Sequence, residues 1–183
     1  MNKVNSSWEE KTFSSHLVSL MKNCEIALKY DLIITKEEEL EDNEIDNGLK
    51  SSKEANPIDI RFHNIWQKIR LDYSIEAKNI SSSEWEKTNG NKVNASQQQT
   101  EYITKGIDRF LTGHFKDKNG CMLGYIVNGK LEDLLSKINT KIVLQKCNSE
   151  KIDFTQLLIN NHKIYESFHP HRNLKHLFFD YSN

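Results

Sequence analysis

Apolar residues recur at helical spacing in four stretches of this chain and alternate with polar ones in others. Over residues 12–30, Phe13, Leu17, Leu20, Met21, Cys24, Ala27 and Leu28 fall in phase and predict one amphipathic helix. Thr35 is followed three residues on by Glu38, a capping-box pair that predicts a second helix opening near residue 36. That helix would carry Leu40, Ile45 and Leu49 inward. After Pro57 the period changes to two. Ile58, Ile60 and Phe62 alternate with Asp59, Arg61 and His63, and Leu71, Tyr73, Ile75 and Ala77 alternate with Asp72, Ser74, Glu76 and Lys78. Two alternating runs joined by a short connection predict an antiparallel hairpin.

Residues 81–96 are polar, contain Asn89-Gly90 and read as a long loop. A helix follows over 97–112, with Tyr102, Ile103, Ile107, Phe110 and Leu111 on its apolar face and Gly113 at its end. Residues 120–128 (GCMLGYIVN) are apolar throughout and predict a buried strand, with Cys121 inside as a small hydrophobe. Residues 130–147 predict another helix, with Leu131, Leu134, Leu135, Ile138 and Ile142 in phase. Strands near 162–169 and 174–181 complete the pattern. Helices alternating with strands predict an α/β or α+β fold, with helices packed on one central sheet.

Composition narrows the function classes. The chain has 183 residues with 25 Lys+Arg against 26 Asp+Glu, a net charge of −1. That length suits a single domain, residues 1–183. The near-zero net charge argues against a simple basic DNA-binding arm. No run of about 18 apolar residues is present, so no membrane span is expected. Three widely spaced cysteines exclude a disulfide scaffold, and the polar start MNKVNSSWEEK lacks an apolar signal core. A reducing, cytoplasmic setting is the expectation. The charge is unevenly spread. Residues 36–54 carry eight acidic and three basic side chains, whereas residues 103–183 carry 12 basic and eight acidic. A solvated helix face accounts for the first; a nucleic-acid-facing flank or an ordinary mixed surface accounts for the second.

The chemistry-bearing stretch is 57–78. It holds Pro57-Ile58-Asp59 and then Glu76-Ala77-Lys78, with 17 positions from Asp59 to Glu76. On a strand, Glu76 and Lys78 share a face. Asp59, on the neighbouring strand, can join them. Two carboxylates suit a hard, oxygen-seeking cation such as Mg²⁺. Such an ion polarises a phosphodiester and acidifies a bound water, and a lysine can stabilise the charge that develops. The alternative is a solvated hairpin face on which Asp59 and Arg61 pair across strands with Glu76 and Lys78. A second Glu-x-Lys, Glu9-Glu10-Lys11, has no upstream Asp and reads as a chance copy.

Residues 57–78 resemble the PD-(D/E)XK nuclease superfamily, with its restriction-endonuclease-like fold. The order of a carboxylate-bearing helix, an Asp strand, a Glu-x-Lys strand, a helix and a further strand matches over about residues 36–127. Residues 128–183 would add a helix and strands to that core. The family's Asp commonly follows Pro directly, and here Ile58 intervenes. The resemblance implies metal ligation by Asp59 and Glu76, a catalytic Lys78 and a metal contact from the Ala77 carbonyl. It also implies a further Glu from the preceding helix, Glu44 with Glu41 behind it. Lys105 or Arg109 would lie near the scissile phosphate. The implied activity is Mg²⁺-dependent hydrolysis of nucleic acid, with DNA the expected substrate and Mn²⁺ able to substitute. A homodimer or a multi-protein complex, plausible in prokaryotic restriction or anti-phage defence, would supply targeting. A non-catalytic accessory subunit of the same fold is the alternative.

Other features weigh less. His162, His169, His171 and His176 cluster late but lack a cysteine pair for zinc, and read as exposed or strand-capping. Trp8, Trp66 and Trp85 could stack on bases, Trp85 in its polar loop being the strongest of the three.

Overall fold

The computed structural model describes residues 7–38, 47, 57–64, 71–113, 115 and 120–182. A seven-stranded mixed sheet runs through the molecule, flanked by helices, as the periodicity predicts. Helices α1 (Glu10–Lys22) and α2 (Glu25–Lys29) lead into strand β1 (Ile33–Glu38). Strands β2 (Ile58–His63) and β3 (Asp72–Ser81) follow. A short hairpin pairs β4 (Trp85–Glu86) with β5 (Lys92–Val93). Next come α3 (Ala95–Tyr102), a π-helical turn (Ile103–Ile107) and α4 (Asp108–Leu111). Strand β6 (Gly120–Asn128), α5 (Leu131–Gln145) and a 3-10 turn (Asn148–Glu150) precede β7 (Asp153–Ile159), β8 (His162–His169) and β9 (Arg172–Asp180).

The sheet order is β1-β2-β3-β6-β9-β8-β7. Strands β1, β2 and β3 form an antiparallel meander, β6 runs parallel to β3, and β9 runs parallel to β6. Helix α1 packs against the meander, with Phe13 and Val18 buried among Ile34, Ile60, Ile75 and Ala77. On the opposite face α3, the π turn and α5 bury Tyr102, Ile103, Ile107, Leu134, Ile138 and Ile142 against β6 and β9. Strand β6 is therefore covered on both faces, which is why its sequence is apolar throughout. Burial pushes the Cys121 thiol up to about 12, so it stays a protonated core residue.

Several expectations need correction. The helix expected to open near residue 36 is β1 there: Thr35 pairs with Arg61 and Glu38 with Ile58. Two β-branched isoleucines precede Thr35, and the sheet wins over the capping-box pattern. The remainder of that helix, including Leu40, Glu41, Glu44, Ile45 and Leu49, lies outside the described residues, as does Trp66. The helix expected over 12–30 breaks at Asn23–Cys24, where the Cys24 sulfur accepts the Ala27 N–H and starts α2. The break turns Leu28 outward, and Leu20 and Cys24 are exposed too. The loop over 81–96 contains the β4–β5 hairpin, which turns at Asn89-Gly90 with Gly90 at φ 83°. Strand β7 was not anticipated. Gln156 sits at φ 62° and the β7–β8 register shifts between Phe154 and Leu158, so no period-two pattern marks it.

No helix among the described residues is long and apolar enough to cross a membrane.

Candidate active site

The site forms where β2 and β3 part. Their antiparallel register reaches Ile60 opposite Ile75, and the pairing stops there. The next positions are Asp59 and Glu76. The Asp59 carboxylate takes over from the missing ladder bond, with its Oδ2 accepting the Ala77 N–H at 2.7 Å. An alternating pattern on two neighbouring strands thus brings Asp59, Glu76 and Lys78 to one place.

Lys78 is the hub. Its Nζ donates to Glu76 Oε1 at 2.7 Å, to the Ala77 carbonyl at 2.7 Å and to Glu10 Oε1 at 3.1 Å, with Asp59 Oδ2 at 3.8 Å. The Ala77 carbonyl, implied as a metal contact, here accepts from Lys78. Burial disfavours a charged lysine, but Glu76, Glu10 and Asp59 outweigh it and hold the Lys78 pKa above its usual value. The Glu76 side chain has 0% exposure, and burial pushes its carboxyl up to about 7. Asp59 adds to that rise, while Lys78 and Arg109 oppose it. Glu10 is likewise raised, first by burial.

The two oxygens of Glu76 differ. Oε1 accepts from Lys78 and, at 2.6 Å, from Arg109 Nη1. Oε2 is buried with no hydrogen-bond partner among the described residues. A buried carboxylate oxygen in that state is an acceptor lacking its donor partner. Asn79 Oδ1 is a second such atom nearby in sequence.

The solvated-hairpin alternative does not hold. Arg61 pairs bidentately with Asp72, at 2.8 and 2.7 Å, rather than with Glu76. Glu76 and Ser74 are wholly buried. Of the two expected phosphate-facing cations, Arg109 lies on Glu76, while Lys105 is 62% exposed and pairs with Glu101 at 2.8 Å.

Glu10 is the member that reading by motif missed. It belongs to the Glu-x-Lys copy set aside as chance. Its Oε2 also accepts the Asn79 N–H at 3.3 Å. The signal was in helical phase: Glu10 stands three and four residues before Phe13 and Ser14, both buried on the inward side of α1. An acidic residue on the inward stripe of a helix needs a cationic partner, and Lys78 supplies it.

The donors present suit a hard divalent cation. They are carboxylate oxygens, one of them buried and unpartnered. Against that, no group of three or more His, Cys, Asp or Glu side chains among the described residues stands in a metal-holding arrangement. At this site Lys78 Nζ already sits among the carboxylates.

The late histidines are not exposed as a group. His176 and His169 are buried in a chain of hydrogen bonds. Tyr102 Oη lies 2.8 Å from His176 Nδ1, and Ser167 Oγ lies 2.8 Å from both His176 Nε2 and His169 Nε2. His169 Nδ1 meets Glu150 Oε2. Burial, with His169 nearby, pushes the His176 pKa down to about 3. Trp85 is half-buried and packs with the α1-side core rather than standing free in a loop.

Compared with known proteins, the chain matches no family model, no curated protein and no solved structure.

Proposed function

We propose that this chain is a metal-dependent nuclease, or the nuclease subunit of a larger assembly, acting on nucleic acid through Asp59, Glu76 and Lys78. One observation carries the reading. Residues 17 positions apart in sequence converge where two strands part, and one buried Glu76 oxygen has no partner among the described residues. The order of α1, the β1–β3 meander, α3 and parallel β6 supports a restriction-endonuclease-like core. It also supplies a meander strand before Pro57.

Asp59 and Glu76 Oε2 would hold Mg²⁺, or Mn²⁺ in its place, with Glu10 beside them. Bound there, the ion supplies Lewis acidity toward a phosphodiester oxygen and an acidified water. The remaining work falls to the chain itself. Lys78 keeps its charge at neutral pH and can stabilise negative charge building on the phosphorus oxygens. Lys105, exposed on the π turn and paired with Glu101, would be the cation that meets a backbone phosphate. DNA is the proposed substrate, in a cytoplasmic setting. A homodimer or partner subunits would provide targeting, consistent with a role in restriction or anti-phage defence.

A second reading has its own observation. Lys78 fills the centre of the carboxylates as a cation would, which is also how a non-catalytic accessory subunit would neutralise a buried acidic cluster. Mn²⁺ binding, followed by the loss of the free-ion electron paramagnetic resonance signal, separates the two. The nuclease reading expects a site in the wild type that Asp59→Asn and Glu76→Gln each abolish. A wild type that leaves all Mn²⁺ free supports the accessory reading.

A further inference from the structure

We infer that Arg109 is a positioning residue. It holds Glu76 Oε1, so that Oε2 is presented to the cation, and it does not contact substrate phosphate. This role rests on the proposed nuclease reading and assigns Arg109 a different task from the one its helix first suggests.

Arg109 reaches Glu76 from α4, whereas Glu10, Asp59 and Lys78 come from α1, β2 and β3. Asp59 binds the Ala77 N–H, and Glu10 binds the Asn79 N–H, so both sit at the level of residues 77–79 of β3. Arg109 donates its Nη1 to Glu76 Oε1. The residue after it, Phe110, packs so closely on Gly120 that a Cβ there would overlap its ring. Gly120 is the register partner of Ser74, two residues before Glu76. Arg109 and Lys78 hold the same oxygen, Glu76 Oε1, at 2.6 and 2.7 Å. A carboxylate held at one oxygen by two charged donors has little freedom to rotate. The other oxygen is fixed in direction and has no partner among the described residues.

The π turn sets this aim. Ile103–Ile107 inserts a wide turn between α3 and α4, with Ile103, Gly106 and Ile107 buried. Gly106 faces the Met122 methyl so closely that a Cβ would force the Met122 side chain to shift. A regular helix would rotate residue 109 by about 100° relative to α3 for each residue of register difference, and turn Arg109 away from Glu76.

The test compares Arg109→Ala, Arg109→Gln and Arg109→Lys with wild type on one cleavable oligonucleotide. Affinity for it is also measured in EDTA over a salt series, which reads phosphate contact without any loaded metal. Positioning predicts that kcat falls about 10- to 100-fold in Arg109→Ala. KM and the EDTA Kd should stay within about twofold, the salt slope should not change, and Arg109→Lys should recover most of the rate. Should Arg109→Ala fail to fold, Arg109→Gln, which keeps part of the stem and a neutral donor but falls short of Glu76, carries the same expectation. A Kd weakened about tenfold, with the salt slope reduced by about one, would mean that Arg109 touches phosphate and would overturn the inference. So would an active wild type whose kcat is indifferent to Arg109. A wild type that cleaves nothing defeats the nuclease reading itself, and this role falls with it.

Discussion

Glu10 Oε1 lies 3.1 Å from Lys78 Nζ, across 68 residues of sequence. The first turn of α1 is thereby tied to the third strand of the sheet. The tie sits inside a cluster of Asp59, Glu76 and Glu10 around one lysine and one arginine.

Removing the lysine should expose how much those carboxylates depend on it. Lys78→Met keeps the bulk and leaves buried negative charge without its hub. Loss of one partner from a buried ion pair costs about 3 kcal/mol or more. We expect that loss in metal-free urea unfolding at pH 8. A smaller loss is expected at pH 5, where Glu76, raised to about 7, takes up a proton. Equal losses at the two pH values would contradict the cluster as described.

Glu76 should give the protein an unusual pH dependence. Its folded pKa, about 7, lies above the ordinary 4.5. Between those values the folded protein keeps a proton that the unfolded chain has released. Stability contributed by Glu76 therefore falls as pH rises from about 4.5 to 7, and then levels. The full span is of order 3 kcal/mol. The measurement is the difference in unfolding free energy between wild type and Glu76→Gln across pH 4 to 8 in EDTA. That difference should drift against the wild type through this window. A flat difference would show that Glu76 ionises normally.

The buried chain from Tyr102 to Glu150 is a separate stabilising element. Ser167→Ala removes the hydroxyl shared by His169 and His176 and leaves a ring nitrogen of each without that bond. A buried polar group stripped of its partner costs about 1–3 kcal/mol, and two groups are affected here. Thermal unfolding at pH 7 should register a loss of about 2 kcal/mol or more. An unchanged melting temperature would mean that the chain contributes nothing. His176 also predicts an acid limb of the opposite sign to the Glu76 effect. The unfolded chain takes a proton below about pH 6.5 that the folded protein refuses down to about 3, so stability falls as pH drops through that range.

Much of this was legible in the sequence, for identifiable reasons. The β2–β3 hairpin, β6 and α5 carry clean periods and fold as their periods predict. The convergence of Asp59, Glu76 and Lys78 follows from alternation on adjacent strands. Strand β1 was misread because Thr35 and Glu38 imitate a capping box, and only pairing with β2 decides the matter. Glu10 was missed because a motif search looks for local spacing, whereas its partner is set by how α1 docks. The buried histidines escaped for the same reason. Polar residues become core residues only when other buried polar groups meet them, and Tyr102, Ser167 and Glu150 come from three different elements.

Cleavage tests the central claim most directly. Single- and double-stranded DNA and RNA are incubated with Mg²⁺ or Mn²⁺ and with wild type, Asp59→Ala or Lys78→Ala, each variant first shown to be folded. The account predicts metal-dependent cutting by the wild type, abolished by EDTA and reduced at least 100-fold in both variants. Equal cutting by all three proteins, or none by the wild type on any of these substrates, would contradict it.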